Sequence, residues 1–541
     1  MGLALALVLA TVVAAAMPVV WRTPFRALGV LVAGMSVHNF LVMLLLATHA
    51  PGVAVRGLQA WKEIVVVVLG LLLARRAVRA WRDGLRPRDL RSRLVPGDYV
   101  AAAFAALLAV YVVLPVGAGL TQRVFDFRAL GLIPLLYLYG RVFQPAREDL
   151  RWTLALLAGS GCLVTAVGLV ELWFVPTSAW VAMGANLLSA FDGHVYHGPG
   201  GLPENFVQAT SAGPFLRRMV STYVSPLGVA YVGLLLVPVA VAIWAGGEPD
   251  RRWRVLGWAA VVLVPAGVVL SVTRLAVAML VPEFALLALL LPARRTAAAV
   301  AAAAVAAAFG LFLYVDVGPT IRHDLTPIRQ PAGYALLAPP VRPDVAAQPA
   351  PAGRASGGPG TAGRPTPTPA RRPPATPSPT GGSRILLFAG DTSLQGHLAA
   401  VEADLSQVVH HPLGLGLGSY APRFARVDGV GESAVLGIFD EAGVPAGLVY
   451  LALYGLLLLN GWRAFRLARS WEERALPLVA LAGGLALLPV TVTSDVWTGL
   501  VVTFLPWWAA GYCATVAAAQ AAVDPVGAPA AAPRDTSAEP A

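Results

Sequence analysis

Four short segments hold residues whose types and spacing suit chemistry on an anion or a hydroxyl. Arg274, in VLSVTRLAVAML, stands between two apolar runs with almost no loop around it. A guanidinium in that place either snorkels to lipid phosphate or is held to receive a phosphate-bearing ligand. Its planar fork of donors and permanent charge suit the second task. Arg217 and Arg218, in FLRRMVSTYVSPLG, would add the second prong of a diphosphate clamp. Ser221 and Thr222 read as caps of the helix that follows.

The third segment is HHPLGLGLGSY, residues 410–420. Alternating glycines after a proline, with Gly414 and Gly416 at their head, make a turn whose backbone approaches a ligand closely. No Gly-Lys-Ser/Thr follows, so this is not a nucleotide-phosphate loop. His410 and the candidate ligand contact His411 are adjacent and have no third ligand at suitable spacing, so no metal is expected. The fourth segment, GESAVLGIFDEAGVPAGL at 431–448, carries Glu432, Asp440 and Glu441. Acids leading into a helix either complement its positive N-terminus or take a proton from an acceptor hydroxyl.

The elements that must position these groups are membrane helices. Of 541 residues, 57% are hydrophobic and 13% charged, where soluble domains carry roughly 25% charged residues. The mean hydropathy is +0.69, and the apolar residues fall in blocks of spanning length. A helix needs about 20 apolar residues to cross a bilayer core. Lipid offers no partner to exposed backbone, so each block must be helical. Spans are expected near 2–20, 27–48, 60–74, 99–119, 128–143, 153–174, 224–245, 255–272, 275–292, 296–316, 443–460, 475–492 and 497–517. The fold class expected is an all-α polytopic membrane protein of about twelve to thirteen spans. The first block lacks a charged n-region and a clear cleavage site, so it reads as an uncleaved helix.

The formal charge of +11 and pI near 10.1 come from arginines in short loops. That is the pattern of cytoplasmic anchoring beside anionic membrane lipids, and no soluble basic domain exists to bind nucleic acid. The run from Arg75 to Arg93 is expected inside, as are Arg22 and Arg26, Arg141 to Arg151, Arg251 to Arg254, Arg294 and Arg295, and Arg463 to Arg469. Alternation then puts 175–223 and a large loop, 317–442, on the extracytoplasmic side. The division expected is a bundle over 1–316, that loop, a second helical set over 443–517, and a disordered cytoplasmic tail at 518–541. Within the loop, 338–383 is a Pro-rich linker that cannot bury a core. Near 392–411 the spacing of Leu394, Leu398, Val401, Leu405 and Val408 predicts an amphipathic helix over the outer mouth of the bundle. Cys162 and Cys513 fall inside predicted helices, so no disulfide framework is indicated.

Taken in order over about residues 100–515, the four segments resemble the O-antigen ligase and polymerase superfamily of bacterial polysaccharide membrane enzymes. The first motif is matched by Arg218, Ser221, Thr222, Tyr223 and Pro226. Ser271, Thr273 and Arg274 match the second, and His411, Pro412, Gly414, Gly416 and Gly418 the third. The fourth is matched by Ser433, Leu436, Glu441 and Gly443, with Glu432 where the ligases carry histidine. Ala446 stands where the family often has glycine. The resemblance implies a GT-C-like glycosyltransferase at the outer face of the cytoplasmic membrane. Its donor would be a glycan on undecaprenyl diphosphate, its acceptor a hydroxyl of an exopolysaccharide or cell-envelope glycan. Arg218, Arg217 and Arg274 would hold the diphosphate, Glu432 would activate the acceptor, and no cofactor would be needed. The competing readings are a transporter or flippase of lipid-linked glycans and a non-catalytic scaffold. The absence of an internal repeat and a midplane read as nearly free of charge favour the enzyme.

Overall fold

The computed structural model describes residues 2–84, 86–191, 202–209, 215–247, 250–291, 294–321, 392–419, 433–497 and 500–523. The chain opens with α1 (Gly2–Arg22), α2 (Ala27–Ala47), the short α3 (Gly52–Gln59) and α4 (Trp61–Arg82). Next come α5 (Pro87–Arg93), α6 (Pro96–Val113), α7 (Leu120–Val142) and α8 (Arg147–Phe174). Two short helices follow, α9 (Thr177–Ala182) and α10 (Ala185–Phe191), then the strands β1 (Val207–Ala209) and β2 (Phe215–Arg217). The bundle continues through α11 (Pro226–Ala245), α12 (Arg251–Leu270), α13 (Arg274–Leu290) and α14 (Arg294–Val317), closed by β3 (Thr320–Ile321). Last come α15 (Thr392–His410), α16 (Ala434–Leu467), α17 (Trp471–Leu478), a π-helical turn Val479–Gly483, α18 (Gly484–Thr493) and α19 (Leu500–Val523).

Among the described residues nine helices are long and apolar enough to cross a membrane, or ten if the bent pair α3–α4 is one span. This is a multi-pass, overwhelmingly helical membrane protein. Three details differ from the sequence expectation. Twelve to thirteen spans were expected and nine or ten are found among the described residues, because α13 is only 17 residues long and carries Glu283, and α7 carries Arg123, Asp126, Arg128 and Arg141. A small antiparallel sheet, ordered β1–β2–β3, ties residues 207–217 to the end of α14. The span expected to begin at 443 begins at Ala434, and position 443 is a kink inside α16. The Pro-rich stretch 338–383 lies outside the described residues, as do the Leu394 side chain and the tail beyond Val523.

The core is centred on α11 and α19, the most enclosed spans. Trp497, Trp507 and Trp508 are fully buried, and Tyr450 and Tyr454 pack edge-on to Trp507. Helices α7 and α19 cross at Gly140 and Gly511, where any side chain would run into the facing backbone. Such small-residue contacts bring helices together where lipid offers no hydrophobic drive.

The two ends of the bundle differ in charge. One end joins α1 to α2, α4 to α6, α7 to α8, α11 to α12 and α16 to α17, and it gathers the arginines. There Arg26 pairs with Asp149 at 2.7 Å, Arg141 with Asp98 at 2.9 Å, and Arg147 with Glu472 at 2.9 Å. The Arg151 guanidinium lies over Trp253 and Trp471, an arrangement suited to the headgroup level. The opposite end carries the four candidate segments.

Candidate functional site

Residues 218–225 carry the first site segment, anchored by polar contacts to two helices. The Glu171 carboxylate of α8 accepts from the Val220 and Ser221 amides, both at 3.3 Å. Ser221 Oγ donates to the Val164 carbonyl at 2.5 Å and Thr222 Oγ1 to that of Ser36 at 2.6 Å. Neither hydroxyl caps α11, as the sequence suggested. Ser225 does so instead, accepting from the Gly228 amide. Tethered this way, the backbone takes up positive φ at Ser221 (47°) and Val224 (53°). Val272, in the facing loop, does the same at 53°. For a β-branched residue this is a costly conformation, and such strain gathers at working sites.

The two neighbouring arginines part company here. Arg217 turns inward and is buried. Its guanidinium meets Glu171 Oε1 at 3.2 Å and donates to the carbonyls of Leu172 and Val175. Those contacts occupy it in holding the loop to α8. Arg218 turns to the other side. Its Nε donates to the Ser271 carbonyl at 2.9 Å and its Nη2 to Thr273 Oγ1 at 3.0 Å. Thr273 Oγ1 in turn accepts from Ser271 Oγ at 3.1 Å. Arg274, half-buried, starts α13 immediately after this network. Burial pushes the Arg218 guanidinium down to about 10, Tyr231 favours its charge, and the Arg274 charge opposes it. Arg218, Arg274 and Tyr231 therefore share one locale.

That locale extends to the start of α16. The Tyr231 hydroxyl lies 2.9 Å from Ser494 Oγ. The Ser494 carbonyl accepts from the Ala434 amide at 3.2 Å. Ser433 Oγ caps α16 by accepting from Leu436 and reaches the Thr491 carbonyl at 3.3 Å. Glu432 itself lies outside the described residues. Its sequence neighbour is fixed at the edge of the arginine site.

The glycine turn is built against the α16 kink. Gly443 has φ 74°, which breaks the helical ladder. The turn replaces the lost partners: Leu415 donates to the Asp440 carbonyl at 2.7 Å, Gly416 to that of Glu441 at 2.9 Å, and Val444 to that of Pro412 at 2.8 Å. The Glu441 side chain accepts from the Gly418 amide at 3.2 Å. Gly414, Gly416 and Gly418 all have positive φ, at 79°, 93° and 82°. Each faces close neighbours where a Cβ would sit: α16 backbone, the Val116 carbonyl, and Gln122 with Asp126. The alternating glycines therefore answer to packing against α16 and the α6–α7 loop. The His411 side chain is exposed at the head of this turn.

Two buried acids, Asp404 and Glu283, were not singled out by sequence reasoning as part of any site. Asp404 of α15 faces Asp440 of α16, both buried, and Asp440 Oδ1 has no hydrogen-bond partner. Glu283, midway along α13, is buried with both carboxyl oxygens unpartnered. It corrects the expectation of a helix interior nearly free of charge. The signal for Glu283 was visible, since an acid inside an apolar block is a site candidate by default. Among the described residues no cluster of His, Cys, Asp and Glu suits a metal ion. No protein-family model and no curated protein matches the chain.

Proposed function

We propose that the protein is a membrane glycosyltransferase that uses a lipid-diphosphate-linked glycan as donor and a glycan or cell-envelope hydroxyl as acceptor, polymerising or transferring repeats. The observation that carries this reading is the Arg218–Arg274 pair. Like charges brought together in a half-buried place repel, and a bridging anion relieves both. Arg218 is pre-aimed by Ser271 and Thr273, so little ordering remains when a diphosphate arrives. The groups that bind the leaving diphosphate thus stand beside the start of α16, where the acceptor-activating base is expected at Glu432. The glycine turn with Gly414, Gly416, His411 and Glu441 would border the glycan. Under the positive-inside rule the arginine-rich end is expected to face the cytoplasm, and this reading takes the site to lie on the outer side of the cell membrane. No cofactor is called for by this chemistry.

Arg274→Ala tests the reading. Glycan transfer from a lipid-diphosphate donor to acceptor should fall below detection while the purified protein keeps its thermal transition. Arg274→Lys should also be poor, because a point charge does not reproduce bidentate phosphate contacts. Wild-type transfer by the alanine variant returns Arg274 to a lipid-anchoring role. A second reading, transport of lipid-linked glycans, draws on Glu283, whose unpartnered buried carboxyl midway along α13 suits a proton-coupled carrier. Under that reading Glu283→Gln abolishes translocation of a fluorescent lipid-linked sugar, whereas a transferase leaves such a lipid on its original leaflet.

A further inference from the structure

Helix α15 packs with the opposite polarity to that of a helix on a water-soluble domain. The sequence expectation is an amphipathic helix over the outer mouth of the bundle, with no face assigned to its leucines. The structure packs Ala400 and Asp404 against α16, while Leu398, Leu405 and Val409 are 62%, 50% and 73% exposed. At 3.6 residues per turn these three fall on one stripe. The half-buried Val401 and Val408 lie between the stripe and the packed face, and the exposed Glu402, Ser406 and His410 occupy a third face. Leu413, just beyond the helix end, is 71% exposed and prolongs the stripe.

The stripe also joins the flank of the bundle. The Tyr111 hydroxyl of α6 donates to the Leu413 carbonyl, and Gly117 abuts Leu415. The neighbouring Val110, Val113, Leu114 and Val116 are exposed apolar residues of the same kind. A contiguous apolar surface of this length has no stable place in water. It has one at the boundary between headgroups and acyl chains, where amphipathic helices lie flat with one apolar face down.

We propose that α15 is an interfacial helix whose Leu398–Leu405–Val409 stripe, with Leu413, lies in the bilayer surrounding the bundle. Its three faces then each meet a fitting medium. Asp404 meets Asp440 on the protein side, the leucines meet lipid, and Glu402, Ser406 and His410 meet water. The occupant is the membrane itself rather than a protein partner, because the stripe continues a surface that spanning helices already present to lipid. The inference is independent of the chemistry proposed for the site.

The test uses the full chain with Cys162→Ala and Cys513→Ala, reconstituted in phosphatidylcholine–phosphatidylglycerol vesicles. Single cysteines at Leu405, Val409 and Ser406 are labelled with an environment-sensitive fluorophore. All three positions are exposed, so labelling leaves the packing intact. Lipids carrying a nitroxide near the headgroup should quench Leu405→Cys and Val409→Cys several-fold more than Ser406→Cys, and aqueous iodide should show the reverse order. Equal iodide quenching at all three positions would place the stripe in water and overturn the proposal. Protection of 405 and 409 from both quenchers overturns it as well, by showing that a second copy or another part of the chain covers the face.

Discussion

Arg217 and Arg218 are adjacent in the chain, and their side chains do opposite work. Arg217 is one half of a buried ion pair with Glu171, and removing one partner of such a pair costs about 3–5 kcal/mol. Arg217→Ala should therefore lower the thermal transition of the purified protein. Arg218→Ala, which removes the hydrogen bonds to Ser271 and Thr273, should leave that transition nearly unchanged and abolish transfer. A shared loss of stability would show that both are structural. Glu432 belongs to the same scale. Glu432→Gln should slow transfer by roughly 10²–10⁴-fold, the usual reach of general-base catalysis, and Glu432→His should keep measurable activity. If Glu432→Gln transfers at the wild-type rate, His411 and His397 are the next groups to test. The arginines were legible because they break the charge asymmetry of the loops. Their division of labour was not, because Glu171 and Thr273 lie 46 and 55 residues away from their partners in the chain.

At the scale of elements, apolar blocks of about 20 residues made the helices legible, and alternating signals at Gly and Pro made the turns legible. The kink in α16 was missed because Ala434–Gly443 reads as a loop approach, with Asp440 and Glu441 suggesting water. Burial of both acids against α15 and the glycine turn overrides that signal. The face of α15 was not legible, since periodicity locates an apolar stripe and is silent on whether protein or lipid receives it. Gly416 tests the turn itself. At φ 93° and against the Val116 carbonyl, Gly416→Ala should cost on the order of 1–3 kcal/mol through backbone strain. A lowered unfolding midpoint is the readout. An unchanged midpoint would show that the turn adapts without loss.

For the whole molecule, the richer arginine loops at one end give the expected orientation. A cysteine introduced at Gly84 should be shielded from an impermeant thiol reagent in intact cells, and one at Gly358 should react. The reverse pattern would move the proposed site to the cytoplasm and remove its donor. The placement of α19 bears on how the protein is made. This helix follows every other described helix in the chain, yet it fills the centre, with Trp507 and Trp508 fully buried and Gly511 set against the α7 backbone. Earlier spans leave the ribosome and enter the membrane one by one, with the groove of α7 at Gly140 still empty. The helices that precede α19 therefore lack their central packing partner until α19 is inserted, and their close association is a post-insertional event that a membrane protease or an insertion chaperone has time to act upon.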